Sequence, residues 1–127
     1  MSKYVLDASA VLALLNEETG QDKVEAVIAD SVMSAVNYCE VMGKLIDAGV
    51  TEEDARESID LLNVEIISFD TEQAGKAAAL RPTTKKLGLS LGDRSCLALG
   101  LARRHTVVTA EREWTKLRVG IKIEMIR

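Results

Sequence analysis

Short β-prone runs alternate with helical segments along this chain, and that alternation limits its fold more than any other feature. Lys3-Tyr4-Val5-Leu6 precedes a run of good helix formers from Ala8 to Leu15, which Asp7 can cap. Gln21 to Ala29 reads as helix, with Val24, Val27 and Ile28 on one face, and Ser31 to Ser34 as a brief extended piece. Ala35 to Ala48 repeats Val41, Leu45 and Ala48 at helical spacing, and Gly49 ends it. Thr51-Glu52-Glu53-Asp54 opens a helix to about Leu62 with a capping residue and first-turn acids. Val64 to Phe69 is a predicted strand. Asp70-Thr71 then starts a helix through about Leu80, which Pro82, the only proline, is expected to end. Residues 82–89 read as a basic loop, and Ser90 caps a helix to about Arg104. Thr106 to Thr109 is a buried-type strand, Arg112 to Leu117 a short helical turn, and residues 119–126 hold a last strand. Strands separated by helices imply an α/β fold, with a mainly parallel sheet covered on both faces. In such sheets function sits at the carboxyl ends of the strands, near the switch in strand order.

The 127 residues carry no repeat, low-complexity stretch or linker, so residues 1–127 are expected to form a single domain. At 47% hydrophobic and 28% charged, the chain is neither a disordered tail nor a disulfide scaffold. The apolar run from Ala8 to Leu15, interrupted by Ser9, falls well short of the about 20 residues a membrane span needs. Asp7 lies inside the N-terminal apolar run, which argues against an export signal and for a cytoplasmic location. Cys39 and Cys96 match no metal spacing and are expected to be reduced core thiols.

A net charge of −4 argues against a general polyanion binder, yet nine basic and only three acidic residues fall between positions 81 and 118. Such asymmetry suits a region that meets phosphates, although solvated helix faces give the same pattern. Only Tyr4, Tyr38, Phe69 and Trp114 are aromatic, so a base-stacking platform is not expected. Neither the phosphate-cradling G-x-x-x-x-G-K-[ST] nor G-x-G-x-x-G occurs. Asp7 is followed by Ala8-Ser9, without the acidic pair of a receiver domain or the D-x-D of a phosphatase.

Acids stand where the strands end. Asp7 follows the first strand and Glu111 follows the Thr106–Thr109 strand. Glu40 and Asp93 lie in two central helices, with Asn37 on the same face as Glu40. Asp7 and Asp93 also read as helix-capping acids, and Glu111 as a surface acid. Glu40 lies mid-helix among apolar neighbours, where a buried carboxylate must protonate or find a cation. Acids converging on one cleft repel one another, and a divalent cation relieves that repulsion. An oxygen-only donor set selects Mg²⁺ or Mn²⁺. The one histidine, His105, precedes a strand on the far side of the helix from Asp93, which disfavours zinc.

Four segments carry a resemblance: Leu6-Asp7-Ala8-Ser9-Ala10, Ser34 to Val41, Leu89 to Arg94, and Val108 to Trp114. In this order and spacing they resemble the blocks of the PIN-domain nucleases, and more narrowly the VapC-type toxins of prokaryotic toxin–antitoxin modules. The resemblance covers essentially the whole chain. It implies a three-layer α/β/α fold of about five strands in the order 3-2-1-4-5. It also implies an Mg²⁺- or Mn²⁺-dependent endoribonuclease, a homodimer, and neutralisation by a cognate antitoxin; a tRNA or ribosomal RNA is the substrate it suggests. By position, Asp7, Glu40 and Asp93 match the family's metal-binding acids, and Ser9, Asn37 and Thr109 its supporting polar residues. The fourth acid of the family is usually Asp; here it is Glu111, one methylene longer. The resulting expectation is that Asp7, Glu40 and Asp93 hold a first metal, while Glu111 holds a second or acts through water. Hydrolysis would leave a 5′-phosphate and a 3′-hydroxyl, with Arg94, Lys85, Lys86, Arg112 and Lys116 as contacts to the RNA backbone. Glu111 also motivates an alternative: a catalytically weak PIN domain that acts mainly as a binding partner, with its antitoxin on promoter DNA.

Overall fold

The computed structural model describes residues 2–127. Five short strands, β1 (Tyr4–Leu6), β2 (Ser31–Ser34), β3 (Glu65–Ile67), β4 (Thr106–Thr109) and β5 (Ile123–Met125), form one sheet in the order β3-β2-β1-β4-β5. Every neighbouring pair is parallel, with Val5 opposite Val32 on one side and Val107 on the other. The helices are α1 (Ala8–Leu15), α2 (Gln21–Val27), α3 (Ala35–Asp47), α4 (Glu52–Asp60), α5 (Thr71–Ala79), α6 (Arg81–Thr84) and α7 (Leu91–Arg103).

The three layers follow from alternation along the strands. Successive residues point to opposite faces, and all three inner strands carry two apolar residues in a row. Leu6, Met33 and Val108 enter a core with Ala10 and Val11 of α1, Val41 of α3 and Ile59 of α4. Val5, Val32 and Val107 enter a second core with Cys96, Leu97 and Leu99 of α7 and with Trp114 and Leu117. A strand buried on both faces needs such a continuous apolar run. Gly100 lets α7 lie close to β4, because a Cβ there would stand 2.6 Å from a Val107 methyl. From β1 the chain builds the sheet outward through β2 and β3, then returns to add β4 and β5 on the other side. The switch in order therefore falls between β1 and β4, and their carboxyl ends open into one crevice.

Side chains start the main helices as the sequence indicates. Asp7, Thr51, Asp70 and Ser90 accept backbone N–H bonds at the starts of α1, α4, α5 and α7. Four expectations are corrected. Pro82 does not terminate α5; it sits in the first turn of α6, where its missing N–H is not needed. The basic segment 82–89 is accordingly α6 followed by a 3₁₀ turn at Lys85–Leu87 rather than a loop. β3 spans three residues instead of Val64 to Phe69, because its partner β2 ends at Ser34, opposite Ile67. Cys96 is buried, but Cys39 faces outward from α3 and is not a core thiol.

Trp114 is 2% exposed and is the largest fully enclosed side chain. Trp114→Ala is expected to lower the unfolding free energy by about 3–5 kcal/mol in urea denaturation. A loss below about 1 kcal/mol would mean that the second core does not depend on it.

Candidate active site

Asp7 leaves the central strand and becomes the cap of α1. Its backbone N–H donates to the Val108 carbonyl at 3.2 Å, which fixes it beside the end of β4. Its Oδ1 accepts from the Ala10 N–H at 2.9 Å and from Ser9 Oγ at 2.7 Å, and its Oδ2 accepts from Thr109 Oγ1 at 2.6 Å. The same hydroxyls organise the turn after β4: Ser9 Oγ accepts from the Ala110 N–H and Thr109 Oγ1 from the Glu111 N–H. Asp7 is only 3% exposed. Burial pushes its carboxyl up from 3.8 to about 6, against the lowering effect of the three hydrogen bonds, and the Glu111 charge pushes it in the same direction as burial.

The other acids arrive from different elements. Asn37, Glu40 and Lys44 are spaced along one face of α3. Asn37 Nδ2 donates to Glu40 Oε1 at 2.8 Å and to the Gly92 carbonyl at 3.0 Å, so it ties α3 to the start of α7. Glu40 is half-buried; the fully enclosed acid is Asp7 instead. A Cβ at Gly92 would overlap the Glu40 carboxylate, so only glycine leaves that carboxylate its place. Asp93 closes a capping box with Ser90, its Oδ2 accepting from the Ser90 N–H at 2.9 Å. Glu111 is exposed on the turn after β4.

Asp7, Glu40, Asp93 and Glu111 all line one cleft of about 150 Å³, together with Ser9, Asn37 and Lys44. Their fields overlap: the buried Cys96 thiol is pushed well up, first by burial and then by the charges of Asp7, Asp93 and Glu40. A larger cavity of about 440 Å³ opens at the opposite end of β4, lined by Arg104, His105 and Lys122 and by none of these acids.

The five basic residues expected at an RNA backbone do not line the cleft. Arg94 turns toward α5 and donates to the Ala77 carbonyl at 3.1 Å. Lys85 and Lys86 are exposed on the 3₁₀ turn after α6, and Arg112 and Lys116 on the turn after β4, where Lys116 pairs with Glu113 at 3.2 Å. The cleft's cation is Lys44, which sequence reasoning missed. Its position four residues after Glu40 on the same helix face was the available signal.

Among the described residues, no three His, Cys, Asp or Glu side chains stand close enough together to hold a metal ion as placed. The donors nonetheless suit a hard cation. Among the described residues, Glu40 Oε2, Asp93 Oδ1 and both Glu111 carboxylate oxygens accept no hydrogen bond, and Asn37 Oδ1 is buried without a partner. An all-oxygen set with spare lone pairs and a surplus of negative charge fits Mg²⁺ or Mn²⁺.

The raised Asp7 carboxyl has a consequence for stability. The folded chain holds a proton there between pH 3.8 and about 6 that the unfolded chain has released, so stability rises as pH falls through that window. In metal-free buffer, Asp7→Asn is expected to stabilise the fold by about 1–3 kcal/mol above pH 6 and to lose that advantage toward pH 3.8. Parallel pH profiles for the chain and the variant in thermal melts would contradict this.

The sequence pattern of the PIN domain family matches residues 4–120. No curated protein sequence matches the chain. Among solved structures it is similar to a chain of DNA-bound VapBC from Salmonella typhimurium, at 19% identity and TM-score 0.77, covering 100% of both chains. A toxin–antitoxin complex from Klebsiella pneumoniae matches at 22% identity and TM-score 0.75, covering 98% of each chain. VapBC2 from Rickettsia felis, bound to a DNA fragment from its promoter, matches at 17% identity and TM-score 0.74, covering 96% of this chain and 97% of the other. Five parallel strands in the order 3-2-1-4-5 and a family match over nearly the whole chain agree: this chain belongs to the PIN domain family.

Proposed function

We propose that the chain is a metal-dependent endoribonuclease, the toxin of a VapC-type toxin–antitoxin pair. The observation that carries this reading is the cleft at the ends of β1 and β4, where four acids from four separate segments share one wall of oxygen donors. Asp7, Glu40 and Asp93 would hold one Mg²⁺ or Mn²⁺, with Glu111 at the rim for a second or for a bridging water. Bound there, the ion would supply the charge that neutralises the acids and activates water toward phosphorus.

The chain's own residues prepare the site. Ser9, Thr109 and the Ala10 N–H orient Asp7 and favour its ionised form against the cost of burial. Asn37 aims Glu40 and holds it against Gly92. No side chain in the cleft is placed as an obvious general base, so activation of the attacking water is chemistry that a cation held by the acids would supply. Attack in line with the departing 3′ oxygen leaves a 5′-phosphate and a 3′-hydroxyl. The solved complexes of similar fold pair a toxin with an antitoxin, two of them on DNA. That pairing supports a cognate antitoxin as partner, and the family supports a homodimer. Among the described residues no helix is long and apolar enough to cross a membrane.

The test is cleavage of structured RNA by the chain purified free of antitoxin. Cutting should require Mg²⁺ or Mn²⁺, stop in EDTA, leave 5′-phosphates and fall at least about a hundredfold in Asp7→Asn. Cutting that persists in EDTA or in Asp7→Asn would refute the reading. Gly92→Ala should cut at least about tenfold more slowly, because the new methyl displaces Glu40. Its melting temperature should stay close to that of the parent chain, since the displaced atoms end a flexible side chain. Full activity in Gly92→Ala would show that the place of Glu40 is not needed.

A further inference from the structure

A second cavity, of about 380 Å³, adjoins the acid cleft. The two share Ser9, Leu12 and Lys44, which form the sill between them. Beyond the sill lie Asn16, Leu45, Ala48 and the ion pair of Glu18 with Arg127. We propose that this second cavity receives the nucleotide next to the scissile phosphate, with Lys44 gripping the phosphate that crosses the sill. The proposal rests on the reading of the substrate as RNA and adds where a flanking nucleotide sits and what selects it.

Three observations point there. A phosphodiester centred over the acids must continue past the rim, and this cavity opens directly from that rim. Its volume falls within the range of small-ligand sites, about 300–1,000 Å³. Its lining is mixed as a nucleotide requires: the half-buried Leu12 offers apolar surface to the face of a base over a floor formed by the buried Leu45, and the Asn16 amide can both donate to and accept from a base edge. The charges agree with this division. Lys44 makes no ion pair among the described residues and is the cation in a cleft of four acids, so a phosphate there gains its attraction. Arg127 is already held by Glu18 Oε1 and the Thr19 carbonyl, each at 3.0 Å, so it walls the cavity instead of competing for the phosphate. With no aromatic side chain in the lining, selection would come from shape and hydrogen bonding rather than stacking.

The experiment uses the full chain with single-stranded RNA of randomised sequence. Two readouts are taken: binding by fluorescence anisotropy across a salt series, and cut-site preference by sequencing the ends. Lys44→Gln should weaken binding and raise KM about tenfold, with kcat changed less than about twofold. It should also lower the salt slope of binding by about 0.7, the signature of one lost phosphate contact on a single strand. Lys44→Arg should recover most of the loss. Ala48→Trp, at an exposed cavity-lining position outside the acid cleft, should fill the cavity and change the base preferred at one nucleotide beside the cut. Unchanged preference in Ala48→Trp, or an unchanged salt slope in Lys44→Gln, overturns the proposal while leaving the nuclease reading intact. If the chain binds RNA but does not cut it, the nuclease reading fails; loss of that binding in both Lys44→Gln and Ala48→Trp would still support the subsite, and unaltered binding would end it. Loss of antitoxin binding alone in Ala48→Trp would assign the cavity to a peptide and overturn the proposal.

Discussion

A carboxylate enclosed at the end of the central strand is the feature around which the rest of the structure is arranged. Asp7 is 3% exposed, and removing a charge from water is unfavourable enough to push its carboxyl up to about 6 even with three hydrogen bonds against that shift. Two of those bonds come from side-chain hydroxyls that also accept backbone N–H groups in the turn after β4. Thr109 is 0% exposed at the end of a buried strand, and its hydroxyl donates to Asp7. Ser9 interrupts an apolar helix face to do the same. A buried carboxylate held by such a polar network is a candidate functional group on physical grounds.

The same logic extends across the cleft. Asn37 bridges two helices and directs Glu40, yet its own Oδ1 is buried and without a partner. Gly92 gives up a side chain so that the Glu40 carboxylate can lie against α7. Asp93 is pinned by its capping bond to Ser90, with its other oxygen accepting no hydrogen bond among the described residues. The acids thus reach a common cleft through separate local constraints, and among the described residues none of the four pairs with Lys44. Lys44 stands where the acid cleft passes into the neighbouring cavity, so attraction for a polyanion and repulsion among acids sit side by side.

Much of the fold was legible because its signals are local. Apolar pairs such as Val5-Leu6 and Val107-Val108 mark strands buried on two faces, and Asp7, Thr51, Asp70 and Ser90 announce helix starts through their side-chain oxygens. The sheet order came from the family resemblance, since strand neighbours depend on long-range packing that no local pattern encodes. What was misread depends on context of that kind. Pro82 is compatible both with stopping one helix and with starting the next. β3 is cut short by the length of β2, and Cys39 faces outward because Asn37 and Val41, not Cys39, turn inward from α3. For the candidate site, position and residue type singled out the four acids that share one cleft, but not which of them is enclosed. Glu40 looked like the enclosed acid from its apolar neighbours in sequence, whereas the neighbours of Asp7 in space are what enclose it. Arg94 seemed free to meet RNA until α5 packed beside α7 and claimed its guanidinium.

The central claim is that the acids of this cleft form a binding place for a hard dication. Anomalous diffraction from crystals of the chain soaked in Mn²⁺ tests it most directly. A peak touching Asp7, Glu40 and Asp93, with the free oxygens of Glu40 and Asp93 turned toward it, is the predicted result. No peak in the cleft at saturating Mn²⁺, with Asp93 still bonded only to Ser90 and Glu40 only to Asn37, would contradict it.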